Sequence, residues 1–406
     1  MFRSAFCTSI AAFLTVPAFA QSLAPTSRWG DELGEAPLPA VHSLPASVAQ
    51  PIRWPAPPLI EPPKEIRAVY VNAWAFGGKR LYDLARLADS TEINAFVIDV
   101  KDDTGYLTYR SAVPTAIAIG GNDQRRARDT EERLRMLQAR GIYTIARIVV
   151  AKDPLLAQRK PEWAVQHAQG GLWRDRLNFA WVDAFNDSVW VYAAQLAEEA
   201  VRMGFAEVQY DYVRFPDEPP SRMASAVFAA RDSGETKRQG VARGLAILRK
   251  RTKPLGVPFT IDVFGLTTTA TGDLGIGQLW EDLVTSADVV LPMVYPSHYY
   301  RGMYASRHPN GEPYRIVRRA LEDALRRSGT LGKTAEIRPY LQAFTLGSPR
   351  YTPAEVRAQI RAANDLGLAS WVLWNPRSAY HPGIFLKKPT ATALSPVSAP
   401  EAGGVP

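Results

Sequence analysis

Eight short apolar, β-branched segments, each separated from the next by a stretch of helical periodicity, constrain this chain more than any other feature of its sequence. In order they are "IRAVYVNAW" (66–74), "NAFVIDVKD" (94–102), "IYTIARIVV" (142–150) and "AEVQYDYVRF" (206–215), followed by "PFTIDVFG" (258–265), "DVVLPMVYP" (288–296), "IRPYLQAF" (337–344) and "ASWVLWNP" (369–376). Strand followed by helix, repeated, requires parallel pairing through crossover helices. Eight such units within residues 66–386 predict an α/β chain folded as one (β/α)8 barrel of the TIM type. The alternative is an open doubly wound sheet, and the lack of a glycine-rich turn after the first strand counts against its dinucleotide-binding form.

The intervening helices carry legible ends. In "YTPAEVRAQIRAANDLGLA", Thr352 is placed as N-cap with Pro353 at the first helical position, Glu355 three residues after the cap, and Gly367 at the end. In "DSVWVYAAQLAEEAVRMGF", Val189, Tyr192, Leu196 and Ala200 fall on one stripe and Gly204 closes the helix.

Outside the barrel the chain changes character. Residues 1–20, "MFRSAFCTSIAAFLTVPAFA", have Arg3, an apolar run and Ala18-Phe19-Ala20 before Gln21, the pattern of a secretory signal peptide cleaved near Ala20. The only cysteine, Cys7, lies inside it, so a cysteine-free, exported mature chain is expected, periplasmic or secreted and without a membrane span. Residues 21–65 hold ten prolines and read as an extended linker, and residues 387–406 read as a disordered tail. The net charge of +8, less the one charge of Arg3, leaves +7, carried mostly by arginines on helices such as "YRIVRRALEDALRR". Without an arginine-rich block or a recognition motif, this implies a basic exposed face and no nucleic-acid partner. "RSGTLGKTAEI" holds Gly332-Lys333-Thr334, but Arg327 stands where a phosphate-binding loop needs glycine, and the segment runs from helix to strand, so no nucleotide is expected.

In such barrels the reactive groups lie at the carboxyl ends of the strands. The polar residues there form a carboxylate-rich, histidine-poor set. With five histidines in the chain and no H-x-H or H-E-x-x-H, a metal site is not expected, and no other cofactor is implied. No G-x-S-x-G elbow marks a serine hydrolase. Two-carboxylate glycoside chemistry remains, in which one carboxyl protonates the leaving oxygen and the other attacks or activates water. Asp211 and Asp262 occupy corresponding positions in "QYDYVRF" and "TIDVFG", and adjacent strands lie about 4.8 Å apart, near the separation of a retaining pair. Asp211 is the expected nucleophile and Asp262 the expected acid/base, with Arg214 reaching back to keep one of them ionised. Asp99 has a competing role as the structural partner of Arg147. Asn72, Trp74, Asp99, Asp102, Arg214, Tyr295, His298, Gln342, Trp374 and Asn375 complete a groove of rings and hydroxyl partners, to which Trp173 adds a further ring, suited to a polysaccharide or oligosaccharide. Trp163, Trp190 and Trp280 read as core.

The segments "RAVYVNAW", "NAFVIDVKDDTGYLTY", "QYDYVRFP", "LPMVYPSHY" and "VLWNP" resemble the bacterial putative glycosyl-hydrolase domain family across roughly residues 65–386. The resemblance implies a TIM barrel of glycosidase ancestry in an exported protein, and supplies no substrate and no catalytic assignment. A broader similarity is to α-amylase-like barrels, whose nucleophile ends the fourth strand and whose acid/base ends the fifth. Asp211 and Asp262 match those positions in kind. This chain departs in having aspartate where that acid/base is usually glutamate, and Gln342 where a third acid follows the seventh strand. "QYDYVRF" also lacks the terminal glutamate of the chitinase-like D-x-D-x-E array. The sequence therefore supports an exported glycoside hydrolase, with a non-catalytic carbohydrate-binding barrel as the alternative.

Overall fold

The computed structural model describes residues 61–332 and 334–388. The leader, most of the Pro-rich segment, and the tail beyond residue 388 lie outside the described residues. The barrel strands are β1 (Arg67–Val71), β2 (Ala95–Lys101), β3 (Tyr143–Val149), β4 (Glu207–Asp211), β5 (Phe259–Phe264), β6 (Val289–Met293), β7 in two pieces (Glu336–Ile337 and Tyr340–Gln342) and β8 (Trp371–Trp374). Each pairs in parallel with its neighbour. β8 pairs with β1, and Tyr340 pairs with Met293, so the eight strands close on themselves. Closure matters physically because it leaves no unpaired strand edge.

Among the described residues the seven longest helices form the outer layer: α1 (Arg80–Ser90), α2 (Thr130–Ala139), α3 (Asp187–Met203), α4 (Lys237–Thr252), α5 (Trp280–Ser286), α6 (Pro313–Ser328) and α7 (Pro353–Asn364). α7 has the capping box read from its sequence, with both bonds between Thr352 and Glu355 present. α3 ends at Gly204, which adopts φ 114°. Every residue of α3 from Asp187 to Val201 is buried, far more than a single apolar stripe. The reason is that α3 packs on β3 and β4 and also touches both α4 and α2, and Trp190 and Gly244 of α4 fit against each other. After β8 the described residues contain a single 3-10 turn, Pro382–Ile384.

Alternation along the strands divides the core in two. Outward-facing residues such as Val69, Ile98, Val208 and Val263 join the helices. Inward-facing residues, among them Ala68, Val97, Ile145, Leu291 and Val372, pack the barrel interior. On β4 the inward set is Glu207, Gln209 and Asp211, all buried, so one strand carries polar groups up the axis of the barrel. At the lower end Glu207 is neutralised by Arg338 at 2.6 Å and accepts from Thr260 at 2.8 Å. β2 is irregular between Asp99 and Lys101. Asp99 faces the axis by the same alternation as Val97, and the irregularity after it turns Lys101 away from the axis, where it pairs with Asp153 at 2.5 Å and lies 5.3 Å from the ring of Tyr192 on α3. Two loops meet above β4, where Gln166–His167 pairs antiparallel with Ala226–Val227.

Candidate active site

The upper interior of the barrel is organised by Arg147. Its Cα pairs with Asp99 on one side and Gln209 on the other, so its long side chain can reach the carboxylates of both neighbouring strands. Nη1 donates to Asp99 Oδ1 at 2.5 Å, and Nη2 and Nε donate to Asp211 Oδ2 at 2.6 and 3.1 Å. Asp99 Oδ2 accepts from the Tyr70 hydroxyl at 2.5 Å. Burial pushes the Asp99 carboxyl up to about 6, against the opposing pull of Arg147.

Asp211 ends β4, and the chain turns immediately after it. Tyr212 adopts φ 54°, unusual for a bulky side chain and costing of order 1 kcal/mol. That turn brings its own amide 2.6 Å from Asp211 Oδ1. Asp211 thus has donors on both oxygens while still lining a cavity of about 200 Å³ at the carboxyl end of the barrel. Arg214, Tyr295, His298 and Trp374 also line it, so five of the residues singled out in the sequence meet in one place. Trp374 stacks on Tyr70 at 3.8 Å between ring centroids, with the Arg147 guanidinium 5.0 Å from the Trp374 ring. The Tyr295 hydroxyl is buried with no hydrogen-bond partner among the described residues.

Asp262 does not line this cavity. Its Oδ2 accepts from Gln209 Nε2 at 2.9 Å and lies 3.9 Å from Arg147 Nε, and its Oδ1 is buried without a partner. Gln209 Nε2 also donates to the Tyr340 hydroxyl at 3.0 Å, which anchors the group across the barrel. Burial first, and the charge of Asp211 second, push the Asp262 carboxyl well above the usual carboxylate range and favour its protonated form.

A family profile described as "Putative glycosyl hydrolase domain" matches residues 68–380. The chain belongs to that family. No curated protein matches it. Among solved structures, the glycoside hydrolase domain of PgaB (BpsB) from Bordetella bronchiseptica is 15% identical, with a TM-score of 0.55 over 77% of this chain and 95% of that one. At that identity the likeness is one of fold. A hypothetical protein from Ruminiclostridium thermocellum ATCC 27405 is 37% identical over 45% of this chain and 92% of its own, with a TM-score of 0.40.

In this member of the glycosyl hydrolase domain family, the remaining expected site residues are held elsewhere by local needs. Asn72 caps the turn Ala73–Gly77, accepting from the Ala75 amide at 2.8 Å and donating to the Pro376 carbonyl at 2.9 Å. Asn375 donates to the carbonyls of Ala343 and Ala379 and accepts from the Arg377 amide. Gln342 is fully buried, bridging the Ser297 amide and the Phe344 carbonyl. Asp102 closes its own turn with Thr104. Trp74 is 68% exposed and covered on one face by Arg126 at 3.8 Å. Trp173 is buried and donates to the Arg222 carbonyl, joining Trp163, Trp190 and Trp280 in the core. Arg214 does not reach back to Asp211. It donates to the Phe215 carbonyl at 3.0 Å, and Arg147 holds the carboxylate instead. Sequence reading paired Arg147 only with Asp99; its inward position between two strands that each carry an inward aspartate was the signal for both contacts. Gln209, two residues before Asp211 and so on the same face, was legible by the same rule. Among the described residues, no group of three His, Cys, Asp or Glu side chains could hold a metal ion, and no helix is long and apolar enough to cross a membrane.

Proposed function

We propose that this protein is an exported glycoside hydrolase acting on a polysaccharide or cell-envelope glycan, with Asp211 as the carboxylate that meets the sugar. The observation that carries this reading is the position of Asp211, buried yet lining the cavity, with donors fixing both of its oxygens. A carboxylate so oriented suits attack on an anomeric carbon or stabilisation of the positive charge that develops there. Trp374 and Tyr295 supply flat apolar walls for a pyranose, and the cavity volume fits about one ring. Family membership supports the same class of chemistry.

The test is to incubate purified wild type and Asp211→Asn with a panel of bacterial and plant glycans and follow new reducing ends. Release by wild type, reduced roughly 10³-fold or more in the variant, is expected. No release from any glycan, with binding retained by both proteins, would replace this reading with a second one. That second reading, a carbohydrate-binding barrel without turnover, is favoured by one observation: Asp262, the partner carboxyl that two-carboxylate chemistry requires, is not among the residues lining the cavity.

A further inference from the structure

We infer that the glycan this cavity takes is acidic, and that Arg214 receives a carboxylate of the sugar bound beside Asp211. The inference rests on the reading of the cavity as a glycan site and names the substrate class. Six basic side chains are buried among the described residues. Lys101 pairs with Asp153, Arg147 with Asp99 and Asp211, and Lys152 with Asp103. Arg243 pairs with Asp187 and Glu235, and Arg338 with Glu207. Arg214, only 8% exposed, is the sixth, and it has no carboxylate partner among the described residues. Glu218, four residues on, is engaged by Arg222 and Arg176.

A buried charge without a counterion is costly unless something offsets it. Three rings do part of this: the guanidinium carbon lies 4.8 Å from the centroid of Tyr212, 5.3 Å from Phe264 and 5.4 Å from Trp181. These rings hold the guanidinium without using its in-plane donors. Only Nη1 is spent, on the Phe215 carbonyl, which leaves the Nε and Nη2 edge for a ligand. Two parallel N–H donors on one edge match the two oxygens of a carboxylate better than they match a sugar hydroxyl. Tyr212 and Phe264, two of the three rings, line the cavity together with Arg214 and Asp211, so an anion on that edge belongs to the ligand in the cavity.

The test compares matched polymers. Polygalacturonate and hyaluronate, and their carboxyl-reduced neutral counterparts, are titrated against the full chain carrying Asp211→Asn, and against the same chain carrying in addition Arg214→Gln or Arg214→Lys. A phosphorylated mannan and a neutral panel of cellulose and chitin oligosaccharides complete the set. At least one acidic polymer is expected to bind roughly tenfold or more tighter than its reduced form. Arg214→Gln should erase that difference and Arg214→Lys should restore part of it, with thermal melting confirming that each variant is folded. Binding of the phosphorylated mannan without binding of the carboxylated polymers would move the anion from carboxylate to phosphate and overturn the assignment made here. Binding of glycans with no preference for the acidic member would overturn the inference and leave the glycan site standing. Binding of no glycan of any kind would overturn both.

Discussion

Arg147 holds Asp211 through two hydrogen bonds to one carboxylate oxygen, at 2.6 and 3.1 Å, while the same guanidinium holds Asp99 at 2.5 Å on the opposite side. Three charges on three consecutive strands are thereby fixed in a buried row. Removing the central one leaves two carboxylates buried without their counterion. Arg147→Met is expected to destabilise the fold by about 3–5 kcal/mol, a loss of the size seen when one partner of a buried pair is deleted. Urea unfolding followed by tryptophan fluorescence measures it, and a change below about 1 kcal/mol would mean that the row contributes nothing to the fold.

Asp99 predicts a pH dependence with a definite sign. Its folded carboxyl titrates near 6, above the unfolded value of about 3.9. Between those values the folded protein holds a proton that the unfolded chain has released. The stability Asp99 contributes is therefore complete below about pH 4 and is lost as the pH rises through 6, a change of about 3 kcal/mol. Asp99→Asn cannot titrate. The wild type should lose stability relative to Asp99→Asn between pH 4 and pH 7, read as the difference between their urea unfolding curves at each pH; a constant or opposite difference would refute the assignment.

The strands and the helices were legible because each is a local pattern: apolar runs, amphipathic spacing, Thr352 with Glu355, and Gly204 past the end of a helix; the closed order followed from the count of eight strand–helix units, which brings the last strand beside the first. The seventh strand is split where Pro339, which lacks an N–H, interrupts the run. The site was legible as positions and not as contacts. Asp211 and Arg214 both line the cavity, but after the left-handed turn at Tyr212 Arg214 donates to the Phe215 carbonyl and Arg147 is the arginine that meets Asp211, and a sequence does not announce a strained tyrosine. Asn72 and Asn375 are amides at strand ends in either account. Backbone groups at neighbouring turns claimed their hydrogen bonds, and that claim depends on three-dimensional proximity.

The packing of α3 on α4 can be tested at one atom. A Cβ built at Gly244 would lie 2.1–2.4 Å from ring atoms of Trp190, which is fully buried and hydrogen-bonded to the Ala184 carbonyl. The ring has no room to give. Gly244→Ala is expected to destabilise the protein by about 1–3 kcal/mol despite the better helix propensity of alanine. A stabilised variant, measured by thermal unfolding, would mean that the two helices do not meet in this way.

Asp262 separates two roles that carboxylates near a cavity can have. Its protonated form is favoured by burial, Gln209 donates to its Oδ2, and its Oδ1 faces no donor. Asparagine reproduces the shape of a protonated aspartate and keeps an oxygen for Gln209. Because the raised carboxyl gives up stability as the pH rises and asparagine does not, Asp262→Asn should be at least as stable as wild type at pH 8. Since Asp262 does not line the cavity, turnover on any glycan the wild type cleaves should stay within roughly tenfold, against the loss of roughly 10³-fold or more for Asp211→Asn. Parallel measurements of reducing-end release and urea unfolding on both variants decide the matter. An equal loss of turnover in Asp262→Asn, with stability intact, would make Asp262 the proton carrier of the pair and would require that the barrel open to bring it to the sugar.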